Sequence, residues 1–226
     1  MRVLAVAAHP DDETMFAGGM LAKHALAGDE VYVVCTTRGE GGEVGDPPLT
    51  TKDQLGVRRE AEMREACAAL GVKEVVFLDF VDPSIEIGEP PLSVDAEPTV
   101  FSAAIREHVE RIRPDVLYTH GTNGEYGHPQ HVFTREAVWS ALESLRPWQP
   151  REVWTWCANA GVNADDRITN KDDPADVVLE VGPYFERKLA AALCHRTQHA
   201  MFKRNTKSPD VESMLRRIEA YRRWVL

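Results

Sequence analysis

A histidine and three carboxylates fall within five positions, His9-Pro10-Asp11-Asp12-Glu13, directly after the apolar run Val3-Leu4-Ala5-Val6-Ala7. Residues of these types, at the exit of a buried strand, supply metal ligands and a general base from one turn of chain. A blander reading stands beside this one. Carboxylates suit the free N–H groups and the dipole at a helix N-terminus, so Asp11 and Asp12 would serve only to start the next helix. A second cluster favours chemistry: Gly121-Thr122-Asn123-Gly124-Glu125-Tyr126-Gly127-His128-Pro129-Gln130-His131, more than a hundred residues further on.

Across the two clusters, His9, Asp12 and His131 make a set of two histidines and one carboxylate with a position left for water, as a catalytic zinc requires. Asp11, next to a ligand but directed elsewhere, is then free to take a proton from that water. Neither cluster holds a thiolate. One zinc or iron(II) ion per chain suits such donors, and zinc is the better default for hydrolysis.

The elements that must bring the clusters together follow from periodicity. Residues 2–7 read as a buried parallel strand. Apolar residues from Met15 to Ala27 then repeat at helical spacing, and Gly28-Asp29 closes that helix. Further strands are expected at 31–36, 74–78, 115–120 and 153–157, with helices at 53–70, 100–112 and from Pro129 to about residue 145. An edge strand at 176–181 and two helices, roughly 183–200 and 210–224, finish the chain. Long loops are expected over 80–98 and 158–173, and loops of that length are usually functional. The glycine-rich turn Arg38-Gly39-Glu40-Gly41-Gly42-Glu43 is not a dinucleotide loop, because Val44 stands where the third glycine is required. It reads as an active-site rim with Arg38 and Glu40 as substrate contacts.

Alternating strands and helices imply an α/β fold: one Rossmann-like, doubly wound domain over residues 1–226, with a mostly parallel sheet of order 3-2-1-4-5 plus an edge strand, flanked by helices. Strands one and four are then neighbours, and ligands bind outside their carboxyl ends. The two clusters meet there.

A net charge of −10 argues against a nucleic-acid binder and against a polybasic membrane anchor, and no stretch reaches the 18 apolar residues of a membrane span. A small molecule is the expected partner. The four cysteines, Cys35, Cys67, Cys157 and Cys194, lie singly and read as buried thiols in a cytoplasmic protein.

Ala8-His9-Pro10-Asp11-Asp12-Glu13 together with Tyr126-Gly127-His128-Pro129-Gln130-His131 resembles the LmbE-like, or PIG-L, family of zinc-dependent N-acetylglucosaminyl deacetylases. The resemblance extends to Thr37 through Gly42, to Leu55 through Gly71, and to His195-Arg196-Thr197-Gln198. It implies His9, Asp12 and His131 as zinc ligands and Asp11 as general base. It implies His128 as the group that stabilises the oxyanion or protonates the amine, Tyr126 as a mobile substrate-side residue, and Arg59 as a substrate or structural contact. One position departs: where the family usually has His-Pro-Asp-His, this chain has Gln130. A carboxylate there would hold His128 charged, and a neutral amide does so less well, so His128 is expected to spend less time as imidazolium.

The expected reaction is removal of an N-acetyl group from an N-acetylglucosamine-type sugar or its conjugate. An amidase acting on a larger acyl-amino-sugar conjugate is the nearest alternative, and a non-catalytic sugar-binding module is the alternative from another class. A nicotinamide oxidoreductase is disfavoured, since the first strand ends in His-Pro-Asp-Asp rather than a glycine turn. Elsewhere His24 and His108 are expected to be solvated, His120 structural, His195 near the site rim and His199 exposed. The tryptophans read as packing residues. Arg216, Arg217, Arg222 and Arg223 read as a solvated helix face or a contact in a homo-oligomer.

Overall fold

The computed structural model describes residues 1–84, 91–161 and 168–225. The first apolar run forms β1 (Arg2–Ala7), where Val3 to Ala7 are fully buried because helices cover both faces of the sheet. β2 (Glu30–Thr37) and β4 (Val116–Thr119) flank it in parallel, Ala5 standing beside Val33 on one side and Tyr118 on the other. With β3 (Glu74–Phe80) and β5 (Glu152–Trp156), the order β3-β2-β1-β4-β5 is the one the sequence implies.

Helices α1 (Asp12–Leu26) and α2 (Leu55–Leu70) cover one face, and α3 (Pro98–Ile112) and α5 (Pro129–Ser144) the other. Between β4 and α5 lies α4 (Gly124–Gly127), a single kinked turn. Proline opens both α3 and α5, where its missing N–H costs nothing. Gly71, at φ 87°, ends α2 in the left-handed conformation that glycine adopts without strain.

The C-terminal third differs from expectation. β8 (Val177–Glu180) is the edge strand, but it pairs antiparallel with β9 (Ile218–Trp224), which pairs antiparallel with β5. Residues 210–224 are therefore not a helix; only the turn α8 (Val211–Met214) is helical. The arginines gave the segment a helical look, whereas Glu219 and Tyr221 point inward with the period of a strand. The helix expected over 183–200 is also broken, into α6 (Phe185–Ala192), a 3-10 turn at Arg196–Gln198, and α7 (His199–Thr206). Within the loop expected over 158–173, β6 (Ala158–Asn159) pairs with β7 (Asn170–Pro174), while 162–167 lie outside the described residues, as do 85–90 of the loop at 80–98.

A buried ion pair fastens β9 to α6, and both of its members also bond the backbone of α1. A Cβ on Gly18 would stand 3.0 Å from the Lys188 side chain and one on Gly19 2.9 Å from Val181, so two glycines allow the close approach. Lys188 Nζ donates to the Met15 carbonyl at 3.2 Å and to Glu219 Oε1 at 2.7 Å. Glu219 accepts the amides of Gly19 and Met20 at 2.8 and 2.9 Å. Among the described residues, no helix is long and apolar enough to cross a membrane.

Candidate active site

At the carboxyl ends of β1 and β4, where the direction of winding reverses, the two histidine clusters face each other. Asp11 is the N-cap of α1, at φ 107°, an unusual backbone for a residue with a side chain. Two neighbours hold it. Its amide donates to Glu13 Oε2 at 3.0 Å, and Arg59 Nη2 donates to its Oδ2 at 3.0 Å and to the Pro10 carbonyl at 2.6 Å. Arg59 Nη1 also donates to the Gly39 carbonyl at 2.8 Å, and Gly39 has no room for a Cβ against that guanidinium. Burial pushes the Asp11 carboxyl up to about 6, with Arg59 pulling the other way.

Glu13 is fully buried and accepts from the Thr14 hydroxyl at 2.5 Å as well as binding His195 Nε2 at 3.0 Å. His195 is accordingly beneath the site rather than at its rim. Burial alone would lower its pKa, and the Glu13 carboxylate raises it above the ordinary value.

Three donors stand close together. His9 Nδ1 lies 3.6 Å from Asp12 Oδ2, His131 Nε2 lies 3.5 Å from Asp12 Oδ1, and the two nitrogens are 3.2 Å apart. Glu125, which the sequence analysis did not single out, bonds His131 Nδ1 at 2.6 Å and His120 Nδ1 at 2.9 Å through Oε2. Burial favours its neutral form, but the two histidines hold the carboxyl down to about 2. A carboxylate only accepts, so His131 carries its proton on Nδ1 and turns a bare Nε2 toward Asp12. His120 likewise presents a bare Nε2, which accepts the Ala8 amide at 3.0 Å and lies 3.5 Å from Asp12.

Among the described residues, two groups have donor atoms close enough to share one ion: His9, His128 and His131, and Asp12, His120 and His131. These residues fit a divalent cation. Burial lowers the His9 pKa, yet the Asp12 hydrogen bond and charge raise it to about 9, an attraction that favours positive charge at this point.

His128 caps α5 by accepting the Gln130 amide on Nδ1 at 3.3 Å, which leaves its proton on Nε2. Its ring stacks on His131 with centroids 4.5 Å apart, and Tyr126 stands edge-on to it at 5.6 Å. Burial and the neighbouring His9 and His131 push its pKa down to about 2. It is thus neutral, as expected, but for another reason. The Gln130 side chain does not reach the His128 ring; its Oε1 meets His9 Nε2 at 3.0 Å, and its Nε2 donates to Asp82 Oδ1 at 2.7 Å and to the Leu92 carbonyl at 3.0 Å.

A cleft of about 730 Å³ opens here, lined by His9, Asp11, Asp12, Tyr126 and His128, with Arg59 at its edge. Arg38 and Glu40 are not on it. Arg38 is tied to Glu60 at 2.6 Å and to the Leu78 carbonyl at 3.2 Å, while Glu40 accepts the Asp82 amide at 3.1 Å. Both brace the wall, since each finds a fixed partner in the scaffold. His24 is not solvated either: it bridges Asp29 at 2.7 Å and Tyr118 at 2.9 Å. His108 and His199 are half-buried, and His199 Nε2 meets the Ala192 carbonyl at 3.0 Å. Trp156 packs fully buried against His120. All four cysteines are free.

A buried carboxylate of raised pKa beside a His/Asp/His donor set, at the switch point of a doubly wound sheet, defines a metal-dependent hydrolase. Residues 4–142 match the family model described as PIG-L: GlcNAc-PI de-N-acetylase. A 1D-myo-inositol 2-acetamido-2-deoxy-alpha-D-glucopyranoside deacetylase of Nakamurella multipartita is 39% identical over 234 residues, covering 87% of this chain and 79% of that one. Among solved structures, an N,N'-diacetylchitobiose deacetylase from Pyrococcus horikoshii superposes with a TM-score of 0.71 at 18% identity, over 99% of this chain and 84% of that one. A 4-carboxy-2-hydroxymuconate hydratase from a Pseudomonas putida strain gives 0.68 at 20%, over 100% and 96%, so the fold alone does not choose the reaction. The chain belongs to the PIG-L family. It is a metal-dependent deacetylase of N-acetylglucosamine-type conjugates.

Proposed function

We propose that the chain removes the N-acetyl group from a glycoside of N-acetylglucosamine, the inositol glycoside named for its relatives being the first candidate. The carrying observation is the approach of His9, Asp12 and His131 to within 3.6 Å of one another, with His9 and Asp12 facing an open cleft beside Asp11 and His131 buried behind them. Those three residues hold the ion, with zinc preferred to iron(II) for a set without thiolate.

A bound divalent ion would polarise the amide carbonyl and lower the pKa of water at the open position. Asp11 takes the proton of the attacking water. Arg59 and Glu13 keep its carboxylate in place, and its raised pKa suits a base working near neutrality. His128 donates its Nε2 hydrogen to the carbonyl oxygen as negative charge gathers there. When the tetrahedral adduct collapses, Asp11 passes its proton to the nitrogen, the C–N bond breaks, and acetate and a free amine leave. Tyr126, 52% exposed and edge-on to His128, closes on the sugar.

The apolar side chains Met201, Phe202 and Met214 in the cleft lining favour a second reading in which the group removed or the aglycone is larger and apolar. Assay of matched N-acetyl and N-octanoyl glucosaminides, including the inositol glycoside, separates the two. After chelation and zinc add-back, acetate and amine are expected in equal amounts. Failure to release amine from any of them with metal restored overturns the reading.

A further inference from the structure

We propose that Asp82 and Gln130 form a positioning pair that fixes which nitrogen of His9 faces the metal. The inference rests on the reading of His9 as a ligand. Asp82 follows β3 in a stretch without periodicity, and nothing in its sequence neighbourhood marks it. It is nonetheless buried, and both its oxygens are committed: Oδ2 accepts the Gly41 amide at 3.1 Å, and Oδ1 accepts Gln130 Nε2 at 2.7 Å.

The direction of each bond follows from chemistry. Asp82 Oδ1 and the Leu92 carbonyl can only accept, so the end of the Gln130 amide that faces both must be the NH2 end. Oε1 is then the atom 3.0 Å from His9 Nε2, and that nitrogen must carry the hydrogen. His9 is left with Nδ1 as its bare donor, and Nδ1 is the atom directed at Asp12 and His131. Glu125 does the same for His131 from the other side, with the nitrogens exchanged. A ligand histidine held by an outer hydrogen bond is oriented and made more basic. Here a neutral amide does the holding, and the carboxylate stands one residue behind to stop the amide from turning over.

An asparagine at position 82 has one accepting oxygen for two donors. Either Gly41 loses its partner, or the Gln130 amide is driven to flip, which would place NH2 against His9 and move the ring proton to Nδ1. A reciprocal change keeps the bonds to Gly41 and His9, while the Leu92 carbonyl loses its donor and meets a carboxylate oxygen. In Asp82→Asn with Gln130→Glu, the new amide still accepts from Gly41 and donates to the new carboxylate, which accepts from His9.

Zinc affinity by chelator competition is the readout, with melting temperature as a check on folding. Asp82→Asn and Gln130→Leu should each weaken zinc binding by about 10–100-fold, and the reciprocal double variant should recover part of the loss from Asp82→Asn. Wild-type affinity in Asp82→Asn or in Gln130→Leu overturns the proposal. Nitrogen-15 NMR of the zinc-loaded wild-type protein gives an answer that needs no variant. It should show His9 protonated on Nε2 and coordinated through Nδ1. Coordination through Nε2 overturns the pair's role alone, and no response of either His9 nitrogen to zinc overturns the ligand reading itself.

Discussion

Glu13 Oε2 accepts the backbone N–H of Asp11 at 3.0 Å, and this bond holds a residue bearing a side chain at φ 107°. Backbone strain of that kind costs about 1–3 kcal/mol and persists only where the surroundings enforce it. Glu13→Gln replaces one of two accepting oxygens by a donor, so either the Asp11 amide loses its acceptor or the Thr14 hydroxyl and the His195 ring must both turn from donating to accepting. The expected loss of stability is about 1–3 kcal/mol, with kcat falling more than KM rises. Unchanged melting together with wild-type kcat would show that Asp11 keeps its conformation without this carboxylate.

Asp11→Asn preserves shape and removes the base. Metal content should stay at the wild-type level while turnover drops by about 10²–10⁴-fold, the range typical of a lost general base. His131→Ala should lose both metal and turnover. Elemental analysis beside an amine-release assay checks the pair, and full activity in Asp11→Asn would sink the assignment of the base.

The first five strands and their order were legible because each is a short apolar run between helical repeats, and that alternation admits few topologies. The meeting of His9, Asp12 and His131 was legible for the same reason: their motifs sit at the ends of neighbouring strands. Asp82 was not, because a lone aspartate in a loop without periodicity looks like any solvated carboxylate. Glu125 hid among turn residues, since its role depends on two histidines that the turn brings to one carboxylate. The strand at 218–224 was misread because Glu219, facing the interior, satisfies a lysine and two helix amides that no local pattern announces.

Lys188→Met leaves the Glu219 carboxylate buried without its counter-charge, both side chains being almost wholly enclosed. Removing one partner of such a pair costs about 3–5 kcal/mol. Denaturant unfolding should show a fall of that size, and Lys188→Met combined with Glu219→Gln should be less destabilised than Lys188→Met alone. A double variant no better than the single one would show that the amide bonds of Glu219, rather than its pairing, carry the effect.

Burial pushes the Glu60 carboxyl up, but hydrogen bonds from Arg64 and Arg38 more than reverse this and leave it below the ordinary value. A carboxyl lowered on folding contributes stability above its unfolded pKa and loses that contribution as pH falls through the folded one. The stability gap between wild type and Glu60→Gln should therefore be widest near pH 6 and close on acidification below about 4.5. With Glu60 partly exposed, the gap is at most about 1 kcal/mol. Melting curves across that range test it, and a gap that widens toward acid would contradict the pairing.

The ion pair between α6 and β9 also bears on the order in which the molecule can be finished. The helix that carries Asp12 is made well before Glu219, which takes two of its amides from 200 residues further along the chain. Until residue 219 has emerged, Lys188 has no counter-charge and the flank of α1 has no seat. A nascent chain can thus display both histidine motifs before it can hold them in register, and metal capture becomes a step that follows the emergence of β9 rather than one that guides it.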